Sequence, residues 1–579
     1  MKKSNKSPLK FILSFAYSYK LELILAFVFS LGYVICALLI PILSGNALDY
    51  MNDTSSIDKV YICIYQILGL MVGNAVFYYL VNYLASSAAY KMVRDMRNKA
   101  MEKLLKAKIS YIDQKSQGDI ISTLISDVDT ISDGLIQTFL QLFTGFFTII
   151  GTLVMMFIIC WPLALLILLL TPISVVAASL IAKGTAKTFK KQTDWRGKLN
   201  ALDVECFEGQ KTVLSNSYAK EAEKRFYEIS TTLHKLDFWT EFYGAFINPT
   251  TRCINAIIYG AVAAFGAYFI VTGQLSLTAG GLMTSLMFTN NYTQPFNAVS
   301  EVISQLQNSF ASARRLMELL DAEQVSSDED KEELISSDGS VGFSHVYFAY
   351  DKKRPLIQDV DVTIKPGMHV AVVGPTGCGK TTLINLLMRF YDVDAGRITF
   401  SNKDSSLITR SSLRNQIGMV LQDTWIFKGT IKENIKYGDS QASDEEVKSA
   451  AIKANADFFI RQMKDGYDTF IDGDESLSEG QKQLLCIARV MLKKPKMLIL
   501  DEATSNVDTR SELLINKAFD EMMKGKTSLI IAHRLSTIVN ADLILVMKDG
   551  RLIEKGNHDE LIAQGGFYSD LYNSQFIKA

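Results

Sequence analysis

Between residues 21 and 306, about six stretches of mostly apolar residues follow one another, near 21–43, 60–84, 138–160, 162–183, 244–272 and 279–306. A helix needs about 20 such residues to cross the roughly 30 Å hydrocarbon core of a bilayer. Several of these runs exceed that length with almost no charge, which a core helix of a soluble protein rarely does. The first 310 residues therefore read as an all-α polytopic membrane domain of six spanning helices. The third and fourth spans are separated only by Trp161-Pro162 and form a tight hairpin. The remainder is mixed and charged, as in a soluble domain, and 579 residues are too many for one ordinary domain. A net charge of −1 gives no general attraction to nucleic acid. The cysteines Cys36, Cys63, Cys160, Cys206, Cys253, Cys378 and Cys486 are scattered without ligand spacing, which argues against a metal site or a disulfide framework.

The links between spans set the expected topology. Residues 44–59 are short and acidic, 272–278 carry no charge, and both read as external. Residues 85–137 and 184–240 are long and rich in Lys and Arg, continue the helical pattern, and read as cytoplasmic. Both termini then lie inside, with the basic, amphipathic first 20 residues as a helix on the membrane surface. Polar residues within spans are candidate substrate contacts: Arg252 in the fifth span, and Asn290, Asn291, Thr293 and Gln294 before Pro295 in the sixth. They read equally as an interfacial Arg and as amides bonding to neighbouring helices.

An acidic, Ser-rich stretch at 321–338 marks a linker between a domain at 1–320 and one at 339–579. In the latter, "HVAVVGPTGCGKTTLINLLMRFY" reads as strand, glycine loop and helix. The loop Gly374-Pro375-Thr376-Gly377-Cys378-Gly379-Lys380-Thr381-Thr382 fits GxxxxGK[ST] in its required context. Its glycines let backbone N–H groups curl around phosphates at a helix N-terminus; Lys380 neutralises the outer phosphates, and the Thr381 hydroxyl suits Mg²⁺. In "KMLILDEATSNVD" an apolar strand ends in Asp501, suited to the Mg²⁺ shell, and Glu502, suited to polarise an attacking water. "LIIAHRL" ends a further apolar strand near His533, a candidate γ-phosphate sensor. The fold class is thus multidomain, with the helical membrane domain followed by an α/β phosphate-loop nucleotide-binding domain.

Over nearly its whole length the chain resembles a half-transporter of the ATP-binding cassette exporter family. "FAY" is similar to the adenine-stacking loop, with Tyr350 as the ring, and "VLQDTWIF" to the Q-loop, with Gln422 near Mg²⁺. "LSEGQKQLL" resembles the family signature through Ser478, Glu479, Gly480 and Gln481, and "SNVD" the D-loop with Asp508. "YIDQKSQGDIISTLISDVDTI" and the region of "VECFEGQKTV" resemble the cytoplasmic loops that dock on the ATPase domains. The resemblance implies that two cassettes pair head to tail, each ATP lying between one phosphate loop and the other signature, and that hydrolysis drives alternating exposure of a cavity.

The signature departs from LSGGQ in carrying Glu479, and Asn506-Val507 replaces the commoner Ala-Leu of the D-loop. The combination resembles one chain of bacterial heterodimeric exporters and implies a heterodimer, with a homodimer as the alternative. The expected function is ATP-driven export of amphipathic or hydrophobic, drug- or lipid-like compounds across the bacterial plasma membrane. The sequence is expected to carry no peptide-cleaving domain ahead of the spans. The alternative is an ATP-gated channel or membrane sensor, which Glu502 and His533 argue against because a gate needs binding more than hydrolysis.

Overall fold

The computed structural model describes residues 7–51, 57–273, 275, 277–421, 424–472, 477–501, 508–531 and 538–576. They form two compact units. One comprises Met1–Lys106 and Lys115–Ala322; the other comprises Ala107–Gln114 and Glu323–Ala579. A short piece of the N-terminal half thus belongs to the second unit.

The first unit is helical: α1 (Pro8–Ala16), α2 (Lys20–Met51) and α3 (Ile57–Leu105) precede α4 (Ile109–Asp113), which lies in the second unit. Then come α5 (Gln117–Ser122), α6 (Val128–Leu140), α7 (Phe146–Glu208), α8 (Gln210–Ser215), α9 (Ala219–Ala245), α10 (Ile247–Thr272) and α11 (Ala279–Leu320). Among the described residues, four helical stretches are long and apolar enough to cross a membrane: Pro8–Met51, Ile57–Leu105, Gln117–Ile173 and Ala219–Thr272. Within α7, Cys160 leaves the helical region (φ −156°, ψ 95°). Proline removes an i→i−4 donor and restricts the residue before it, and the break falls one residue further back from Pro162.

In a hydrocarbon setting each polar group needs an internal partner. The hydroxyls of Thr144, Thr148 and Thr152 donate to the carbonyls four residues back, of Leu140, Thr144 and Thr148, at 2.6–2.7 Å. Small residues let helices approach closely. A Cβ on Gly280 of α11 would lie 2.0 Å from the carbonyl oxygen of Gly45 on α2. At the same crossing the Asp49 carboxylate accepts from Gly280 N at 2.8 Å and from Thr278 Oγ1 at 2.6 Å, satisfying donors at the start of α11. Near the other end of α11, Arg315 grips the buried Asp127 with two bonds of 2.7 and 2.5 Å, and the Ser312 hydroxyl adds a third at 3.0 Å. Ile12, Met92, Met96, Ile131 and Leu316 belong to one buried apolar core of this unit.

The second unit is α/β. One sheet runs in the order β2 (Ile357–Ile364), β1 (Val341–Phe348), β4 (Ala395–Phe400), β5 (Lys403–Asp404). The larger sheet runs β12 (Arg551–Gly556), β11 (Leu543–Lys548), β3 (His369–Val373), β10 (Thr527–Ile531), β9 (Met497–Asp501), β6 (Ile417–Val420). β11, β3, β10, β9 and β6 are mutually parallel, and β3, β9 and β10 are almost continuously apolar and buried, as strands covered on both faces are. Helix α12 (Lys380–Leu387) packs between the sheets, with Leu383, Ile384, Leu386 and Leu387 in one core beside Val370, Val372, Phe343 and Ile357.

A second core joins β6 and β9 to a helical layer. α13 (Arg410–Gln416) contributes Leu413 to the first core, whereas the helical layer is built from α14 (Ile431–Lys436), α15 (Asp444–Lys453), α16 (Asp457–Arg461), α17 (Glu479–Lys493) and α18 (Thr509–Met523). A small pair, β7 (Gly429–Thr430) with β8 (Phe470–Ile471), edges it. The acidic stretch after Ala322 is fastened to this unit: Arg410, 7% exposed, binds Asp328 Oδ1 at 2.6 Å and the Ser326 carbonyl at 3.1 Å.

Candidate nucleotide site

Parallel register decides where the loops of the second unit emerge. Ile531 of β10 pairs with Val372 of β3 on one side and with Asp501 of β9 on the other. All three strands therefore release their chains at one sheet edge, where ligands of open parallel sheets bind. The glycine loop leaves from Val373 and Asp501 ends its strand there. Glu502, His533 and Gln422 lie outside the described residues.

The loop's shape requires its glycines. Gly374 has φ 153°, and a Cβ there would sit 2.2 Å from the Met547 carbonyl oxygen and 2.8 Å from Cys378 Sγ. Gly379 has φ 105°, with a Cβ only 2.7 Å from Ile357 Cδ1. Side chains would close this cradle, so its backbone fits phosphate oxygens. Lys380 opens α12 and its Nζ donates back to the carbonyls of Gly374 (2.7 Å) and Pro375 (3.1 Å), which holds the cation over the loop. Thr381 follows in the first turn, and Thr382 is buried beneath it. Cys378 is buried under the loop, and burial pushes its thiol pKa up against the opposing pull of Lys380.

Tyr350, 49% exposed, stands beyond β1, and its hydroxyl accepts from Asn385 Nδ2 of α12 at 3.1 Å. Ser478 caps α17 in a reciprocal box: its hydroxyl accepts from Gln481 N at 3.3 Å, and Gln481 Oε1 accepts from Ser478 N at 3.0 Å. Glu479 begins the helix, where a carboxylate complements the positive end of the dipole. It also pairs with Lys482 at 2.9 Å, whose side chain is only 7% exposed, and accepts from Thr424 Oγ1 at 3.4 Å. Gly480 is buried in the same turn.

Asp508 caps α18 by accepting from the backbone N–H groups of Arg510 and Ser511, and bonding by Ser511 holds its carboxyl below the usual range. Arg489 on α17 ties the chain after Thr424 to this helix through Asn434 O (2.6 Å), Asn434 Oδ1 (2.5 Å) and Trp425 O (2.6 Å). Sequence reasoning did not single out Arg489, Lys482 or Asn385. The i,i+3 spacing of Glu479 and Lys482 was the available signal for one of them.

In the first unit, Arg252 on α10 and Asn290 and Gln294 on α11 are exposed, and Asn291 is half-buried. Asn290 and Gln294, four apart, share one face of α11. Among the described residues no hydrogen bond or ion pair joins Arg252 to them. An apolar groove of about 260 Å³ between Leu163, Leu166, Leu169, Phe265 and Phe269 includes none of the four.

A glycine cradle at the carboxyl edge of a parallel sheet, in a chain with long apolar helices, defines a membrane protein with a phosphate-loop nucleotide-binding domain. The family model of the ABC transporter transmembrane region matches residues 23–296, and that of the ABC transporter matches residues 357–505. Over the whole chain the sequence is 36% identical to the uncharacterized ABC transporter ATP-binding protein YfiC of Bacillus subtilis (strain 168), covering 95% of that protein. It is 41% identical over 478 residues to the fatty acid ABC transporter ATP-binding/permease protein of Mycobacterium bovis, 82% of this chain and 75% of that one. It is 34% identical over 513 residues to the ATP-dependent lipid A-core flippase of Yersinia pestis bv. Antiqua, 88% of each. The chain belongs to the ABC transporter family, as an exporter half-transporter whose ATPase is coupled to transport.

Proposed function

We propose that this half-transporter pairs with a second, different half to export lipid-like amphipathic compounds across the plasma membrane by alternating access. The observation that carries the ATP-driven step is the glycine cradle capped by Lys380. The relatives named for fatty acid and for lipid A-core favour an amphiphile as cargo. In this reading six helices span the membrane, the break at Cys160 being the turn between the third and fourth. The termini and the nucleotide-binding domain, taken as 339–579 after a 321–338 linker, face the cytoplasm. Arg252, Asn290, Asn291 and Gln294 meet the cargo.

At the nucleotide, Tyr350 stacks on the base, the Gly374–Thr382 loop and Lys380 hold the phosphates, and Mg²⁺ rests on Thr381 and Asp501 with Gln422. The metal supplies charge neutralisation of the phosphates. Glu502 polarises water, His533 contacts the terminal phosphate, and Asp508 stiffens the start of α18 beside the dimer seam. Ser478, Gly480 and Gln481 close over the partner's ATP, and Glu479 marks the slower of two unequal sites.

The test uses inside-out vesicles containing the chain together with its partner half and a fluorescent fatty acid or lysophospholipid. The expected outcome is accumulation that requires hydrolysable ATP and disappears in Glu502→Gln. Flux opened by a non-hydrolysable analogue would establish the channel reading instead, and robust Glu502-dependent ATPase from the chain alone would sink the obligate heterodimer.

A further inference from the structure

Where α9 gives way to α10, five residues in nine are aromatic: Phe238, Trp239, Phe242, Tyr243 and Phe246. Each is 42–56% exposed, and their rings stack or meet edge-to-face with centroids 5.0–6.0 Å apart. A continuous exposed apolar patch of this kind marks a surface that another molecule covers.

Asp237 fixes which side of the helix the rings occupy. Its carboxylate accepts from the buried Gln192 of α7 at 2.6 Å and lies 3.8 Å from Arg196. That edge of α9 is therefore turned towards α7, and Leu233 and Thr240 are buried near it. At about 100° per residue the five rings fall roughly 100–240° around the helix from Asp237, the side facing away from α7.

Along that side the chemistry changes in order. Lys235 is exposed and shares the face with Trp239, four residues on; the other rings follow, and the fifth apolar run begins near 244. With a rise of about 1.5 Å per residue, Trp239, Phe242 and Tyr243 lie within about 8 Å of the start of that run, and Phe238 at about 9 Å. The headgroup layer on each side of a bilayer core is about 5–8 Å deep. Cation, amphipathic ring and hydrocarbon thus occur in the order in which a leaflet presents phosphate, interface and acyl chain.

We infer that this face of α9 is a binding surface for phospholipids of the cytoplasmic leaflet, with Lys235 at the phosphate and the rings beside the glycerol and upper acyl carbons. The inference rests on the proposed topology, in which residues 184–240 are cytoplasmic and the fifth span starts near 244. The graded order favours a leaflet over a facing protein helix, whose contact would not require Trp and Tyr to fall at one depth.

The test is photocrosslinking of the full chain with its partner half, in nanodiscs of phosphatidylethanolamine and phosphatidylglycerol carrying radiolabelled phosphate. Phe242→p-benzoylphenylalanine and Trp239→p-benzoylphenylalanine each keep an aromatic side chain, and both should yield phospholipid adducts. The expected yield is about tenfold that of Tyr227→p-benzoylphenylalanine, which lies about 25 Å before the apolar run. Adducts to the partner half or to a second copy in place of lipid, or background yield at both ring positions, would overturn the inference. Ile257→p-benzoylphenylalanine, at a 61% exposed site within the fifth run, separates the two readings. Lipid adducts at Ile257 without them at the rings remove the inference alone. Their absence at Ile257, or an equal yield at Tyr227, removes the topology and the inference with it.

Discussion

Glu479 shows how one side chain can change meaning once its neighbours are known. An acid close to a triphosphate adds repulsion, but this carboxylate lies at a helix N-terminus against Lys482. Its charge is already offset inside its own chain. Neutralising it should therefore not strengthen nucleotide binding. Glu479→Gln is expected to alter ATP affinity by less than about twofold and to lower stability by about 0.5–1 kcal/mol, the range of a partly exposed pair. Equilibrium nucleotide binding and thermal unfolding of the variant check both halves of that statement. A marked gain in affinity would mean that the acid still acts on the phosphates.

Among elements, the crossing of α2 and α11 is a tight constraint in the helical unit. Gly280 and Gly45 bring the two backbones together, and Asp49 satisfies donors that the close approach leaves at the start of α11. Gly280→Ala should cost about 1–3 kcal/mol by overpacking, seen as a lower unfolding temperature, with the apparent loss growing for larger side chains. Nothing in the spacing of Gly45 and Gly280 announces this pairing, because it joins helices 235 residues apart in the chain.

The strand, glycine turn and helix around residues 374–382, by contrast, were legible. Residues 374–382 are contiguous, and their chemistry needs only a strand before and a helix after. The caps at Ser478 and Thr430 were likewise written in local S/T-x-x-E/Q spacing. The clasp on Tyr350 was not, since Asn385 and Tyr391 lie in a run that reads simply as the end of a buried helix. Trp161-Pro162 announced an interruption in α7, and the structure places the non-helical residue at Cys160.

At the scale of the molecule, the second unit is assembled from two separated parts of the chain. A fragment beginning at Glu323 lacks Asp113 and Lys108, and with them the bonds to Tyr391 and Glu323. It should melt at least about 2–4 °C below the same domain bearing residues 107–114 joined ahead of Glu323 by a flexible linker. Differential scanning calorimetry of the two fragments measures the difference directly. Equal melting temperatures would show that α4 adds nothing to the stability of the nucleotide-binding fold.

This divided membership also sets an order in time. Residues 107–114 leave the ribosome about two hundred residues before Glu323, the first residue of the remainder of their unit. They must therefore wait through synthesis of most of the helical unit without their partners. The long loop adds little equilibrium cost, since closure entropy grows only slowly with length. It does mean that the ATPase domain is completed only after the chain between has been made, so a defect in the helical half can leave the catalytic half unfinished.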